Sequence, residues 1–338
     1  MTDLYSVPGT ADAVVESLSD NPEAQKLFAA QIAYSRADLD HVYACATDFL
    51  NRHSGFYAVI GAGMLLALCA TWRGDLSMWN DAKRHICEAP CKNDDDREIL
   101  SLALAVVDSV LYEHKNFPDW FTRGCFEKLP AHAHPVTKVF YIRFLYMAAY
   151  AVAIREMNLD GVKGLGLMKM IPNTIEPMIS QAVVDRTLIP EIHLRLLCAV
   201  AYYNCDDTEH AIHHIDRALA LALPDRLYVI LAEYWQNFDR LMEDRLMLVD
   251  EEALKRVKEL HKQYRAGWSK LSGIVRNRTV ASNLTVRERE VAKLVSFGFT
   301  TKEIAAKLHI AESTVKQTVL KVVQKTGVRD RSEFPTIL

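Results

Sequence analysis

The sequence lacks the regular cysteine spacing of a disulfide framework. Its 338 residues contain seven cysteines, an odd number, scattered along the chain at Cys45, Cys69, Cys87, Cys91, Cys125, Cys198 and Cys205. Such a set predicts reduced thiols, because framework disulfides need paired cysteines. The first twenty residues also lack a basic segment followed by an apolar run, so no secretory signal is expected. Both absences favour a cytoplasmic protein.

Catalytic motifs are missing as well. The sequence has no G-x-x-x-x-G-K-[ST] phosphate loop, no G-x-S-x-G nucleophile turn and no H-E-x-x-H zinc motif. The acidic run Asp94 to Asp96 lacks the glycine and the glutamate of a calcium loop. We therefore predict a protein that is not an enzyme, with no catalytic residue and no cofactor.

Histidines and cysteines cluster at three places, one of them the pair His132 and His134, without completing a metal motif. His210, His213 and His214 have i, i+3, i+4 spacing on a predicted helix, and residues 85–91 read H-x-C-x3-C. A metal could use these side chains, but a solvated helix face has the same pattern and is the commoner cause of it. We therefore predict no metal site.

One apolar run approaches the length of a membrane span. The segment Phe56 to Trp72 is uncharged over 17 residues, which is the lower edge of that length, and Gly61 and Gly63 interrupt it. The buried central helix of a large helical domain has the same composition. We favour that interpretation and predict no membrane contact.

Strand signals are absent, since no alternating runs are bounded by Asn-Gly or Asp-Gly turns. From Pro22 to about Ser272 apolar residues recur at helical spacing, and turn residues separate the helices. This pattern predicts an all-α fold. Residues 192–225 have the small and large side chains of a tetratricopeptide helix pair, at Cys198, Ala199, Tyr202, Ala211, Ile215 and Ala218.

A weaker copy of this helix pair spans about 57–88. Stacked helical hairpins form a superhelix with an inner groove, so we predict a tetratricopeptide-like superhelix whose groove binds a small molecule or a protein. A helix pair is also common as structural filler, which is the alternative. The aromatic residues at 117–126 are interpreted as core packing rather than as the lining of a pocket.

Charge is distributed unevenly along the chain. Residues 281–338 hold ten Lys and Arg against six Asp and Glu, and the preceding residues hold 30 against 37. The C-terminal segment therefore carries +4 and the remainder −7. This asymmetry is expected when one end of a chain binds a polyanion.

The C-terminal segment has three short helical patterns. Capping boxes are predicted at Thr285 and Thr300, each with a glutamate three residues on. The third helix, about Glu312 to Thr326, has an inner stripe of Val315, Val319, Val322 and Val323. Its opposite face carries Ser313, Lys316, Gln317, Leu320 and Lys321. Lys and Gln donors suit guanine and adenine edges in a major groove, whereas a solvated charged face is the alternative.

The segment LTVREREVAKLVSFGFTTKEIAAKLHIAESTVKQ, beginning at Leu284, resembles the LuxR-type helix-turn-helix of bacterial regulators. The resemblance continues in register and without gaps through Arg331. It implies a four-helix domain that binds double-stranded DNA, with Lys316, Gln317 and Leu320 meeting the bases. Other DNA-binding positions, most of them at or near the DNA backbone, are Thr300, Thr301, Lys302, Ser313, Thr314, Lys321, Lys325 and Arg329.

The sequence departs from this family pattern at several positions. Ala311 replaces the usual Ser or Thr cap of the third helix, at a cost of about 1 kcal/mol unless Ser313 compensates. Thr318 replaces a frequent histidine. Pro335 shortens the fourth helix, which often carries dimer contacts in the family. We therefore place the contacts of an expected homodimer in the helical domain.

The preceding helices resemble the helical-repeat segment of MalT-like regulators. The sequence thus predicts a helical-repeat sensor or interaction domain at 1–272, a linker at 273–281 and a LuxR-type DNA-binding domain at 282–338. The expected function is transcription regulation, controlled by a small-molecule or protein signal at the helical domain. The alternative is a helical-repeat adaptor whose C-terminal bundle does not bind DNA.

Overall fold

The computed structural model describes residues 5–52, 55–111, 117–127, 129, 137–145, 163–238, 240–275 and 286–326, with backbone alone at 163–169, 286, 289 and 324–326. Regular structure within these ranges is helical and includes no β-strand, which confirms the all-α prediction. The described residues fall into two compact units. One lies within Met1–Phe144 and Ile171–Trp268, and the other within Leu145–Met170 and Ser269–Leu338.

Within the described residues, the helices that precede the C-terminal domain occur in the following order along the chain. Helices α1 to α7 span Ala11–Ser17, Pro22–Ser35, Leu39–Asn51, Phe56–Arg73, Leu76–Cys87, Asp94–Val110 and Asp119–Thr122. Residues 137–145 are helical and form α8. Helices α9 to α14 span Lys163–Val184, Leu188–Tyr203, Thr208–Ala222, Tyr228–Tyr234, Leu241–Val249 and Glu251–Val275.

Acidic side chains in the connections begin several of these helices. Asp38, Asp75 and Asp207 each accept a hydrogen bond from the backbone N–H three residues on, at 3.2, 3.0 and 3.2 Å. Each bond uses an N–H that the first helical turn leaves unpaired. Gly74, with φ +61°, ends α4 directly before Asp75. One helix therefore ends at Gly74 and the next begins at once with the Asp75 cap.

The apolar helix α4 packs inside the first unit. Of the helices in the described ranges, it alone is long and apolar enough to cross a membrane, and most of its residues are buried by the rest of the chain. A Cβ atom at Gly63 would lie 2.5 Å from Cγ1 of Ile86 in α5. The glycine therefore allows α4 and α5 to approach closely. These two helices form the helical hairpin predicted at about 57–88.

Helices α10 and α11 form the better predicted hairpin. The positions that the repeat pattern assigned to the interface are buried at Cys198, Ala199, Ala211, Ile215 and Ala218, and Tyr202 is partly buried. The small side chains allow the two helices to pack closely while Ile215 fills the space between them. The prediction of a packed helix pair over 192–225 is confirmed.

The aromatic residues that follow α6 pack as a core. Phe121 is fully buried and lies in one cluster with Leu102, Val106 and Leu129. The Phe117 ring stacks on the Phe121 ring, with 4.7 Å between their centres. The interpretation of this segment as core packing is confirmed for the described residues.

The histidines of α11 differ in burial. His210 and His213 are exposed, and His210 binds Asp207 of its own helix start at 2.9 Å. His214 is only 2% exposed, and its Nε2 atom lies 2.9 Å from Oε1 of Glu176 in α9. The prediction of a solvated histidine face is therefore wrong for His214. This residue adjoins the buried stripe of α11, next to Ile215, so the packed α9 and α10 cover it.

Helix α14 continues into the predicted linker. It runs through Val275, so residues 273–275 are helical, whereas residues 276–281 lie outside the described ranges. The boundaries of the two domains at 272 and 282 stay a prediction.

Candidate nucleic-acid interface

Three helices form the described part of the C-terminal domain: α15 (Val286–Ser296), α16 (Thr301–Leu308) and α17 (Glu312–Thr326). They share a core of Val291, Ala292, Leu294, Val295, Ile304, Ala305, Val315 and Val322. Val315 and Val322 are fully buried and lie seven residues apart, so a single stripe of α17 packs into this core. The third helix has the predicted bounds, and its predicted inner stripe is confirmed.

A capping box begins α16. The hydroxyl of Thr300 accepts a hydrogen bond from the Glu303 N–H at 3.3 Å, and Oε2 of Glu303 accepts one from the Thr300 N–H at 2.7 Å. The hydrogen bonds that Thr300 donates through its backbone N–H and its hydroxyl lower the pKa of the Glu303 carboxyl. This reciprocal pair confirms the second predicted box. Thr285 of the first box lies outside the described residues.

Two residues with left-handed backbone conformation set the turns around α16. Gly298, with φ +81°, follows α15. His309, with φ +54°, caps the C-terminal end of α16, and the Ile310 N–H donates a 3.0 Å hydrogen bond to the carbonyl of Ala305. Because only residues 309–311 separate α16 from α17, this turn holds the two helices in the arrangement of a helix-turn-helix.

Arg287 ties α15 to the end of α16. Its Nη2 atom donates a 2.9 Å hydrogen bond to the carbonyl of Leu308, and its Nη1 atom lies 2.8 Å from Oε2 of Glu290. A guanidinium is favourable at a helix C-terminus, where carbonyls lack intrahelical partners. Arg287 belongs to the segment, beginning at Leu284, that resembles the LuxR-type domain. No local pattern signals a contact between residues 21 positions apart.

The outer face of α17, which we define as Ser313, Lys316, Gln317, Leu320 and Lys321, is exposed to solvent. These residues occupy positions i, i+3, i+4, i+7 and i+8, so they follow one line along the helix. Leu320 is 60% exposed even though it is apolar. The outer face thus presents amine and amide donors beside an accessible aliphatic group.

The structure describes some of the other predicted DNA-binding residues and leaves out the rest. Side chains at the starts of α16 and α17 are exposed or partly exposed at Thr300, Thr301, Lys302 and Thr314. The side chain of Lys325, the residue Arg329 and the predicted fourth helix lie outside the described residues. The structure therefore locates nine of the eleven predicted side chains, and each of the nine is accessible to a ligand.

Comparison with known proteins supports the same segment. Residues 282–337 match the family described as bacterial regulatory proteins, luxR family. The spore germination protein GerE of Bacillus subtilis is 50% identical over 50 residues, which cover 68% of GerE and 15% of this chain. The chain belongs to the luxR family of bacterial regulatory proteins.

Other luxR-family relatives are longer than the matched segment. The transcriptional regulatory protein LnrK of Bacillus subtilis is 47% identical over 51 residues, and the chain spans 23% of its length. The probable transcriptional regulatory protein NarL of Mycobacterium tuberculosis is 44% identical over 64 residues, 30% of its length. These matches cover 15% and 18% of this chain. No solved structure matches the chain.

Helix α17 starts without the side-chain cap usual in luxR-family domains. Ala311 has no side-chain oxygen, and its carbonyl accepts a 3.2 Å hydrogen bond from the Val315 N–H. The backbone hydrogen bonds of α17 thus begin at Ala311, the predicted cap position, without a side-chain cap. Packing of Val315 and Val322 in the core stabilises the helix in its place.

Proposed function

We propose that this protein is a bacterial transcriptional regulator that binds double-stranded DNA with the outer face of α17 in the major groove. One observation carries this proposal: the outer face is exposed along its length while Val315 and Val322, on the opposite side of the helix, are fully buried. A helix that is packed against a core has a fixed backbone, so its exposed side chains project from fixed positions, as base recognition requires.

The side chains of the outer face suit base edges. The Lys316 amine can donate to O6 and N7 of guanine, and the Gln317 amide can form a pair of hydrogen bonds with adenine. Leu320 fits the methyl group of thymine, which accounts for an exposed leucine on an otherwise polar face. These three residues supply sequence specificity.

The start of α16 supplies contacts to the DNA backbone. The N-terminus of a helix attracts phosphate because its N–H groups and its dipole face the anion. Thr300, Thr301 and Lys302 occupy this end. The carboxylate of Glu303 is bound to Thr300 by the capping box, so its negative charge is held by hydrogen bonds of its own helix start. Ser313, Thr314, Lys321, Lys325 and Arg329 complete the backbone contacts.

The helical domain, residues 1–272, receives the signal. We place there a site for a small molecule or a protein partner and the contacts of a homodimer. When one DNA-binding domain of the dimer is bound to a half-site, the linkage between the two subunits sets the effective concentration of the second domain at the adjacent half-site. A ligand can regulate binding only if it favours one arrangement of the dimer over the other. The protein acts in the cytoplasm and has no enzymatic activity in this proposal.

Leu320 also favours a second candidate function. An exposed leucine at 60% accessibility on a helix face is suited to a protein partner, as in a helical-repeat adaptor whose C-terminal bundle does not bind DNA. The net charge of +4 at residues 281–338 favours DNA over this alternative.

Mobility-shift titrations of the full chain test the proposal, using promoter DNA next to its own gene and random DNA of equal length. Lys316→Ala should weaken specific binding by about 1–3 kcal/mol and random binding much less. Lys293→Ala is the matched control, because it removes an exposed positive charge from α15, which does not carry the outer face. No binding to either DNA would favour the adaptor, and equal losses from both variants would remove Lys316 from base recognition.

A further inference from the structure

Three helices of the helical domain bring a glutamate, a cysteine and a histidine together. Oε1 of Glu176 in α9 lies 2.9 Å from Nε2 of His214 in α11 and 3.9 Å from Sγ of Cys198 in α10. The three potential ligand atoms all lie within 4.8 Å of one another. Cys198 and His214 are almost completely buried, at 0% and 2% exposed. The cluster is therefore a compact set of nitrogen, sulfur and oxygen donors.

These separations are close to those around a tetrahedral zinc ion. Bonds of about 2.3 Å to sulfur and about 2.0 Å to nitrogen or oxygen place tetrahedral ligand atoms roughly 3.3–3.5 Å apart. The observed distances of 2.9 and 3.9 Å lie on either side of that range. Because no two of the three atoms lie more than 4.8 Å apart, side-chain shifts on the order of 1 Å would bring them into place.

Polar contacts to one carboxylate oxygen link the side chains of the cluster. The Cys198 thiol and the Tyr202 hydroxyl, at 3.4 Å, both donate toward Oε1 of Glu176, which is also the atom next to the His214 ring. One carboxylate oxygen thus collects three neighbouring polar groups. A cation bound among them would replace the thiol proton. The His214 ring would then bind the cation through Nε2 and carry its proton on Nδ1, which is buried and has no hydrogen-bond partner among the described residues.

Neighbouring side chains orient the donors. The Tyr202 ring stacks on the His214 ring, with 5.7 Å between centres, and on the His210 ring at 4.9 Å. Burial lowers the pKa of His214 and thus favours the neutral imidazole, the form that can bind a metal. Arg195, one turn before Cys198, forms a buried ion pair with Glu191 at 2.6 Å. Burial and the Glu176 carboxylate raise the pKa of the Cys198 thiol, and the Arg195 guanidinium offsets this shift only in part, so a bound cation would have to displace the thiol proton.

We propose that Glu176, Cys198 and His214 bind one Zn²⁺ ion, with water as the fourth ligand. The charges balance, because a thiolate and a carboxylate neutralise the dication and the imidazole is neutral. The Glu176 side chain is 42% exposed, which provides a path for the ion and space for the water. The site would clamp α9, α10 and α11 together. It concerns the helical domain by itself and does not depend on DNA binding.

Co²⁺ is a suitable spectroscopic probe of this site, because it accepts the ligands and geometry of Zn²⁺ and its thiolate complexes absorb in the near ultraviolet. The untagged, reduced full chain is titrated with Co²⁺ and then with Zn²⁺. We expect a thiolate charge-transfer band at one equivalent, tetrahedral visible bands, and loss of both when Zn²⁺ displaces Co²⁺. Absence of the charge-transfer band from the wild-type chain would overturn the proposal.

Matched variants assign the band to these residues. Cys198→Ser should abolish the band, whereas Cys69→Ser, a buried cysteine of α4, should keep it. His213→Gln, an exposed neighbour of His214, should also keep it. A band that survives in Cys198→Ser, or that disappears in Cys69→Ser as well, would overturn the assignment.

A milder variant covers the case in which Cys198→Ser does not fold. Glu176 is partly exposed, so Glu176→Gln preserves the packing, and it should weaken Zn²⁺ binding more than about tenfold in competition with a chromophoric chelator. Zn²⁺ should also raise the melting temperature of the wild-type chain more than that of Glu176→Gln. Equal zinc affinity in the two proteins would contradict the proposal.

Discussion

The Tyr34 hydroxyl donates a 2.6 Å hydrogen bond to Oε1 of Glu233 and accepts a 3.1 Å hydrogen bond from Nε1 of Trp72. This chain joins α2, α12 and α4 inside the first unit. Burial raises the pKa of the Glu233 carboxyl. The hydrogen bond from Tyr34 lowers this pKa, but burial is the larger effect, so the net shift is upward. The protonated carboxyl is therefore favoured in the folded state relative to the unfolded chain.

This shift predicts how Glu233 affects stability with pH. Because the pKa of Glu233 is higher in the folded state than in the unfolded chain, ionisation of the carboxyl lowers the free energy of unfolding. This loss begins near the ordinary pKa of about 4.3 and is complete above the folded pKa. Glu233→Gln should therefore gain stability relative to wild type across this window and keep a constant difference above it. Urea unfolding of both proteins at several pH values measures the difference.

Tyr34→Phe is the companion variant for this prediction. Removing the hydroxyl removes the bond that lowers the pKa of Glu233, so the pH window should extend upward. At neutral pH the variant should lose about 1–3 kcal/mol, since a partly buried acceptor loses its donor. A difference between Glu233→Gln and wild type that does not change with pH would contradict the assignment.

Gly267 should not tolerate alanine. A Cβ atom at this position would lie 2.0 Å from the backbone carbonyl oxygen of Trp72, which cannot move independently of α4. We expect Gly267→Ala to destabilise the fold by about 1–3 kcal/mol through overpacking. Gly61→Ala is the control, because its Cβ would lie 3.8 Å from the Leu27 side chain, an ordinary contact.

The control should be neutral or stabilising by about 0.5–1 kcal/mol, because alanine is the better helix former. Thermal unfolding of both variants measures the two effects. Equal melting temperatures for Gly267→Ala and Gly61→Ala would show that α14 does not pack this closely on α4.

The capping box of α16 should stabilise its helix locally. Thr300→Ala removes the oxygen that accepts from the Glu303 N–H, at an expected cost of about 1 kcal/mol. Amide exchange across residues 301–308 should then accelerate about fivefold if exchange follows this local free energy. Thr318→Ala is the control, because the Thr318 hydroxyl only donates back to the carbonyl of Thr314 in its own helix.

Mass-resolved hydrogen exchange of the full chain compares the two threonine variants. We expect α16 to exchange faster in Thr300→Ala and at the wild-type rate in Thr318→Ala. Unchanged exchange in Thr300→Ala would mean that tertiary packing of Ile304 and Ala305 holds the helix start without its cap.

Dimerisation should depend on the helical domain. Linkage of two DNA-binding domains makes the second half-site contact effectively intramolecular, so the full chain should bind operator DNA far more tightly than residues 281–338 alone. Sedimentation and DNA titration of both proteins test this. If the isolated domain dimerises on DNA and binds as tightly as the full chain, the helical domain is not the source of valency.

Local patterns in the sequence predicted the helices and their buried faces. The bounds of α17 and the buried Val315 and Val322 follow from apolar spacing along one helix. The box at Thr300 and Glu303 follows from two residues three positions apart. Such features depend on residues within one or two helical turns, so their physical cause is readable without knowledge of the fold.

The sequence by itself determined the all-α class, the packed helix pairs and the luxR-family segment with its polar outer face. Tertiary structure alone decided which distant side chains meet. Tyr34 and Glu233 lie 199 residues apart, and Glu176 and His214 lie 38 apart. Their meeting depends on how whole helices cross, which is set by summed packing over many side chains. For the same reason His214 reads as a surface histidine in the sequence and is buried in the fold.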